Sequence, residues 1–287
     1  MSDKQVDKLG GVETTGHVWD GIRELNNPLP RWWLWTFYAT ILWAIGYTVL
    51  YPAWPLVTHA TRGVFGFSSR ADLRTSLDDA TRAQARYVDA IRSRSLADIE
   101  ADNELRPFAI AAGAAAFKVN CSQCHGSGAQ GGNGYPNLND DDWLWGGDLS
   151  SIYQTISHGI RYEADADTRQ SEMPAFRDVL KPDQIKAVAS YVVSLSGTPR
   201  NPELAVKGKP VFEQNCAACH GPEGRGGRQV GAPNLADAIW LYGPGEEAVE
   251  RQVESPRHGV MPAWQVRLGD TTVKELTVFV HSLGGGE

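Results

Sequence analysis

The chain has 287 residues, room for roughly two small domains, and an ordinary hydrophobic content of 42%. Its formal net charge of −7 argues against a nucleic-acid partner, which needs a basic face. An acidic balance of this kind suits a basic protein partner drawn in by electrostatics.

Residues 1–31 form an N-terminal segment that is long for a cleaved leader and not notably basic. Trp32 to Tyr51 then run for twenty residues without a charge, WWLWTFYATILWAIGYTVLY. At about 1.5 Å per residue such a helix spans about 30 Å, the hydrocarbon thickness of a bilayer. Trp32, Trp33 and Trp35 at one end, and Tyr47, Tyr51 and Trp54 at the other, form aromatic belts at both interfaces. The pattern predicts a retained transmembrane helix over 32–52. Flanking charge does not orient it, because Arg23 and Arg31 before the span match Arg62 and Arg70 after it. Residues 53–106 read as a charged connector, partly helical, with a helix near Ala71–Arg94.

All four cysteines fall in two pentapeptides, CSQCH at Cys121–His125 and CAACH at Cys216–His220. Cys-x-x-Cys-His is the signature of covalent c-type haem attachment. Two thiols one helical turn apart can each add across a vinyl group of one porphyrin, and the adjacent histidine points its imidazole at the iron. Cys121, Cys124, Cys216 and Cys219 are therefore the expected thioether residues of two covalently bound haem c groups, with His125 and His220 as proximal iron ligands. A four-ligand zinc site would not require a histidine after both pairs. A thioredoxin-like pair would need a βαβ setting.

The motifs sit in a tandem repeat. Gly113 and Gly208 lie eight residues before their first cysteine, and Phe117 and Phe212 four before it. Pro136-Asn137-Leu138 and Pro233-Asn234-Leu235 follow, then Trp143 in WLWGG and Trp240 in WLYGP. His158-Gly159 matches His258-Gly259, and MPAF from Met173 matches MPAW from Met261. Ile185, Val188, Val192 and Leu195 recur at helical spacing, as do Val273, Leu276, Val280 and Leu283. The expectation is all-α, with small helical domains over 107–198 and 199–287 meeting at the proline-rich TPRNP linker. The first copy carries an insertion, Arg161 to Glu172, read as a charged surface loop. Gly113 and Gly208 are expected to let a C-terminal helix cross at close range, against Tyr191 or Phe279.

Met173 and Met261 are the expected sixth ligands, since Met1 is the only other methionine. A thioether favours ferrous iron and raises the potential; the plainer role of such a methionine is to fill core space. His158 and His258 are the rival ligands and would give bis-histidine coordination. Each methionine can serve the iron of its own copy or of the neighbouring copy, and spacing does not choose. Pro136 and Pro233 are expected to offer their carbonyls to the outer nitrogen of the proximal histidines, fixing the tautomer. Trp143 and Trp240 either donate an indole N–H to a haem propionate or simply pack.

The elements Gly-x3-Phe, CxxCH, Pro-Asn-Leu and Met-Pro resemble class I cytochrome c in both halves. The segment from His17 to Pro55, HVWDGIRELNNPLPRWWLWTFYATILWAIGYTVLYPAWP, resembles the N-terminal signature of the dihaem subunit (FixP/CcoP, subunit III) of cbb3-type cytochrome c oxidase. Together these cover nearly the whole chain. The resemblance implies one N-terminal transmembrane helix followed by two tandem class I cytochrome c domains. It implies a single-pass protein of the bacterial inner membrane, with a cytoplasmic N-terminus and periplasmic haem domains. Its expected role is an electron-transfer subunit with no catalytic site of its own. Electrons would come from a soluble cytochrome c or a cytochrome bc complex. They would pass to the mono-haem cytochrome c subunit and the haem–copper catalytic subunit, which reduces dioxygen to water. The family's haem residues fall on Cys121, Cys124, His125 and Met173, and on Cys216, Cys219, His220 and Met261. The alternatives are a dihaem cytochrome subunit of a periplasmic dehydrogenase and a dihaem peroxidase, which needs an iron able to open one face.

Overall fold

The computed structural model describes residues 5, 6 and 10–286 and divides into two compact units, Met1–Ala83 and Gln84–Glu287.

In the first unit Thr14–Trp19 (β1) and Ile22–Leu25 (β2) form an antiparallel hairpin that pairs Thr14 with Leu25, Val18 with Arg23 and Trp19 with Ile22. The turn residues Asp20 and Gly21 have φ of 50° and 83°. A two-residue turn with both φ positive follows the twist of the strands, and Asp-Gly is a preferred sequence for it. This hairpin is the one exception to an all-helical reading among the described residues, and its Asp20-Gly21 dipeptide was the available signal.

Helix α1 (Arg31–Leu50) follows at once. It is long and apolar enough to cross a membrane, and none of its residues is buried against protein. The Thr36, Thr40 and Thr48 hydroxyls donate to the carbonyls of Trp32, Phe37 and Ile45. Their polarity is thus satisfied inside the helix, as a lipid environment demands. The helix stops short of the predicted residue 52 because Tyr51 precedes a proline and takes extended backbone. The chain then folds back, and the Val64 and Phe65 amides donate to the Val49 and Leu50 carbonyls at 3.0 and 3.1 Å. Those are end groups that a helix leaves without internal partners. Gly63, with φ of 68°, permits this approach; a Cβ there would overlap the Leu50 carbonyl. Helix α2 (Ser69–Ser93) matches the helix expected near Ala71–Arg94.

The second unit holds α3 (Leu96–Ala101), α4 (Leu105–Asn120), α5 (Ser122–His125), α6 (Leu149–His158), α7 (Pro182–Ser196), α8 (Pro202–Asn215), α9 (Ala217–His220), α10 (Glu246–Glu254), α11 (Gln265–Leu268) and α12 (Asp270–His281). The two repeats exchange their C-terminal helices. Val188, Ala189 and Val192 of α7 pack with Val211 and Phe212 of α8 and Val249 and Val253 of α10. Val273, Leu276 and Val280 of α12 pack instead with Phe117 of α4 and Ile152 and Ile156 of α6. Both glycines do what the repeat suggested, on exchanged partners. A Cβ at Gly208 would overlap the Ala187 carbonyl and lie 2.8 Å from Tyr191 Cβ. One at Gly113 would overlap the Glu275 carbonyl and lie 2.6 Å from Phe279 Cβ. The packed lobes therefore do not follow the chain order of the repeats.

The end of the connector belongs to this core. Ile91 and Ile99 are fully buried together with Leu105, Ala109 and Val278. Lys274 donates to the carbonyls of Arg92 and Arg94, at 3.1 and 3.0 Å. A cation is favourable at that end of α2, where carbonyls lack helical partners.

Glu275 of α12 is only 7% exposed, and burial pushes its carboxyl up to about 7 from an ordinary 4.5. Between those values the folded chain keeps a proton that the unfolded chain has lost. Stability therefore declines as pH rises from about 4.5 to about 7 and is level above that. Glu275→Gln is expected to abolish the decline and to add about 2 kcal/mol at about pH 8. Denaturation midpoints at about pH 5 and pH 8 measure this; an unchanged slope in the variant would refute it.

Candidate functional site

Each attachment motif is one tight turn. The Cys124 and His125 amides donate to the Cys121 carbonyl at 3.1 and 3.0 Å, and the Cys219 and His220 amides to Cys216 at the same distances. Gly126 and Gly221, with φ of 81° and 77°, then end the turn. This geometry sets both thiols and the imidazole of a motif on one short stretch. Cys124 and Cys219 are exposed while Cys121 and Cys216 lie inward, so each pair runs from the protein interior to its surface.

Two clefts open beside these turns, a smaller and a larger one. Cys121 and His125 line the smaller; Cys216, Cys219 and His220 line the larger. The two attachment motifs thus stand beside separate clefts, and among the described residues the cysteines do not converge on one four-sulfur site. His125 Nδ1 lies 3.1 Å from the Pro136 carbonyl, and His220 Nδ1 3.1 Å from that of Pro233. A carbonyl only accepts, so Nδ1 carries the hydrogen and Nε2 keeps its lone pair for a metal. Burial holds both imidazoles below their ordinary pKa, against the opposing pull of the carbonyl, and keeps them in the neutral, ligating form. Burial also pushes the Cys121 and Cys216 thiols up to about 11, with the second cysteine of each pair adding to the rise.

The methionines stand in exchanged clefts. Met261 lines the cleft of Cys121 and His125, and Met173 lines the cleft of Cys216 and His220. The backbone enforces this. Ile160 and Met261 exchange amide–carbonyl bonds at 2.9 and 3.0 Å, and the Trp264 amide donates to Ile156. In the other lobe the Phe176 amide donates to the Val253 carbonyl at 3.0 Å. Among the rival ligands, His158 Nδ1 sits 3.1 Å from Asp165 and is not part of the smaller cleft's lining, while His258 lines the larger cleft with Met173. Trp143 and Trp240 line the two clefts, but the Trp143 indole donates to the Gly285 carbonyl, so that N–H is already engaged.

The insertion Arg161 to Glu172 is not a free surface loop. Arg161 donates to the carbonyls of Gly259 and Ser171 at 2.7 and 2.9 Å. Arg169 donates to the Trp145 carbonyl and the Thr155 hydroxyl at 3.1 and 2.6 Å. A guanidinium fork can reach several acceptors at once, and here it fastens the segment that carries one repeat onto the other. Nothing in charge pattern alone distinguishes such arginines from solvated ones.

Residues 11–58 match the family model described as the N-terminal domain of cytochrome oxidase-cbb3, FixP. Residues 108–192 and 203–280 match the model for cytochrome c oxidase, cbb3-type, subunit III. The chain belongs to the FixP/CcoP family. It is 63% identical over 286 residues to the cbb3-type cytochrome c oxidase subunit FixPc of Rhizobium leguminosarum bv. viciae, covering 100% of both chains. It is 62% identical over 289 residues to FixP of Sinorhizobium medicae, again covering 100% of both. It is also 52% identical over 282 residues to CcoP of Cereibacter sphaeroides, covering 98% of this chain and 97% of that one. As a FixP/CcoP chain it is a dihaem cytochrome c with two covalently bound haem c groups, an electron-transfer subunit and not the catalytic one. The two clefts fit that cofactor. Each offers attachment sulfur, an imidazole with a free Nε2 and a thioether among apolar walls.

Proposed function

We propose that the iron attached through Cys121 and Cys124 is ligated by His125 and Met261, and the iron attached through Cys216 and Cys219 by His220 and Met173. The sharing of one cleft by each histidine and the methionine of the other repeat carries this reading. When bound, each haem supplies a one-electron couple. The protein's part is to hold that couple steady. Pro136 and Pro233 fix the imidazole tautomers and orientation. The prolines after Met173 and Met261 stiffen the loops that present sulfur. Phe117, Ile152 and Leu276 in one cleft, and Phe212, Val188 and Val249 in the other, exclude water around the iron, one of the levers on potential.

With both faces of each iron held by protein, the chain relays electrons within the oxidase and leaves dioxygen reduction to another subunit. We assign its donor as a soluble cytochrome c or a cytochrome bc complex, and its acceptors as the mono-haem subunit and then the haem–copper catalytic subunit. Residues after α1 lie in the periplasm and the N-terminus in the cytoplasm, because c-type haem is attached on the outer side of the bacterial inner membrane. Carbon monoxide added to the reduced protein is expected to change its spectrum barely; binding at half of the haems would point to a peroxidase instead. A tagged chain purified from membranes is expected to bring the oxidase subunits with it. Recovery of a periplasmic dehydrogenase in their place overturns the assignment.

A further inference from the structure

Among the described residues only Leu144 and Trp145 line both clefts. Trp145 is 9% exposed, and its six-membered ring lies so close over Gly231 that a Cβ there would overlap it. Gly231 itself lines the larger cleft and has φ of 61°, so a residue suited to glycine makes room for an indole from the other repeat. The second repeat mirrors this. Tyr242, the counterpart of Trp145, lies over Gly134, the counterpart of Gly231, with its Cε1 3.4 Å from where a Cβ would stand. Arginines cap both rings, Arg169 at 5.5 Å from the Trp145 ring centroid and Arg257 at 4.6 Å from that of Tyr242. The symmetry fails at one point: Tyr242 lines the larger cleft alone, whereas Trp145 reaches both.

We propose that Trp145 is the electronic bridge between the two haems. The inference rests on a haem occupying each cleft. Electron tunnelling falls off with distance and is slowed least by polarisable, bonded matter. The shared wall consists of one aliphatic side chain and one indole, and the indole is its only π system. In the transfer one iron passes from ferrous to ferric and the other from ferric to ferrous; no bond is made or broken and no proton moves. The Arg169 cation near the ring disfavours an oxidised indole, so Trp145 couples the two irons without itself being oxidised. Trp145 is thus a positioning and coupling residue, not a ligand.

The test uses the purified full-length dihaem chain with no oxidase partner. One haem is reduced by a light pulse and redistribution to the other is followed optically. Haem content, both midpoint potentials and the sulfur-to-iron charge-transfer band are measured on the same samples. Compared at the driving force set by each sample's own measured potentials, Trp145→Met is expected to slow redistribution by on the order of tenfold, and Trp145→Phe to stay within about threefold of the parent. Equal rates in Trp145→Met and the parent overturn the proposal, as does equal slowing in the Phe and Met variants. Should Trp145→Met lose its methionine band, Gly231→Ala replaces it. The added methyl displaces the indole from the larger cleft while keeping it in the chain, so an unchanged rate overturns the bridge. Fewer than two haems per parent chain would instead overturn the haem reading on which the bridge rests.

Discussion

Met261→Ala is expected to alter the haem attached through Cys121 and Cys124 and to leave the haem of its own repeat unchanged. In a redox titration the chain gives two components. Met261→Ala and His125→Ala should displace the same component, and Met173→Ala and His220→Ala should displace the other. Loss of a thioether ligand removes a soft donor that favours ferrous iron, so the shift is downward. It should take up a substantial part of the roughly 0.8 V over which axial ligands set haem potentials. Reduced Met261→Ala should also bind carbon monoxide at one haem per chain, through the position that sulfur had filled. His258→Ala should leave both components in place, although His258 lines the larger cleft. Joint displacement of one component by Met261→Ala and His220→Ala would mean that each methionine serves its own repeat.

Gly208→Ala is expected to be a strongly damaging single-methyl change in the second unit. The new Cβ would overlap the Ala187 carbonyl and crowd Tyr191 Cβ at 2.8 Å, both on α7. Backbone cannot move aside as a side chain can, so α7 and α8 must separate. Overpacking of this kind costs about 3 kcal/mol or more. The damage should fall on the lobe that contains Met173 and His220, where the methionine band weakens, while the lobe closed by α12 over Gly113 keeps its own. Gly197→Ala is the control: its Cβ would meet only the Val193 carbonyl at 3.6 Å, an ordinary contact. Thermal midpoints and the charge-transfer band of the two variants decide the matter. Equal stability of Gly208→Ala and Gly197→Ala would show that the close crossing does not hold the lobe together.

Where a residue's chemistry is fixed by its type, the sequence alone points to the family and its two haem c groups. Cys121, His125 and Met261 line one cleft and Cys216, Cys219, His220 and Met173 the other, and the Pro136 and Pro233 carbonyls face the two imidazoles. The apolar run of α1 announced its length for the same reason. What stayed hidden is pairing at long range. Val188 and Leu276 have the same helical spacing whichever repeat they cover, so no periodicity can tell an in-place helix from an exchanged one. The engagement of Trp143 with Gly285 and of Lys274 with the end of α2 depends on that same exchange. Ile91 is buried although its helix reads as polar, because a single apolar position at one end of α2 meets Val278 of α12. The β1–β2 hairpin is a different case: it lies outside the helical repeats, and its turn is the short dipeptide Asp20-Gly21.

The crossed closure of α12 on α4 also bears on how such a chain is made. The contacts that complete the earlier lobe join its first helix to the last one, which is about as non-local as this fold allows, and non-local contacts form slowly. In synthesis from the N-terminus the first attachment turn is in place long before α12 follows it. The earlier crevice therefore stays roofless until nearly all of the described polypeptide has been made.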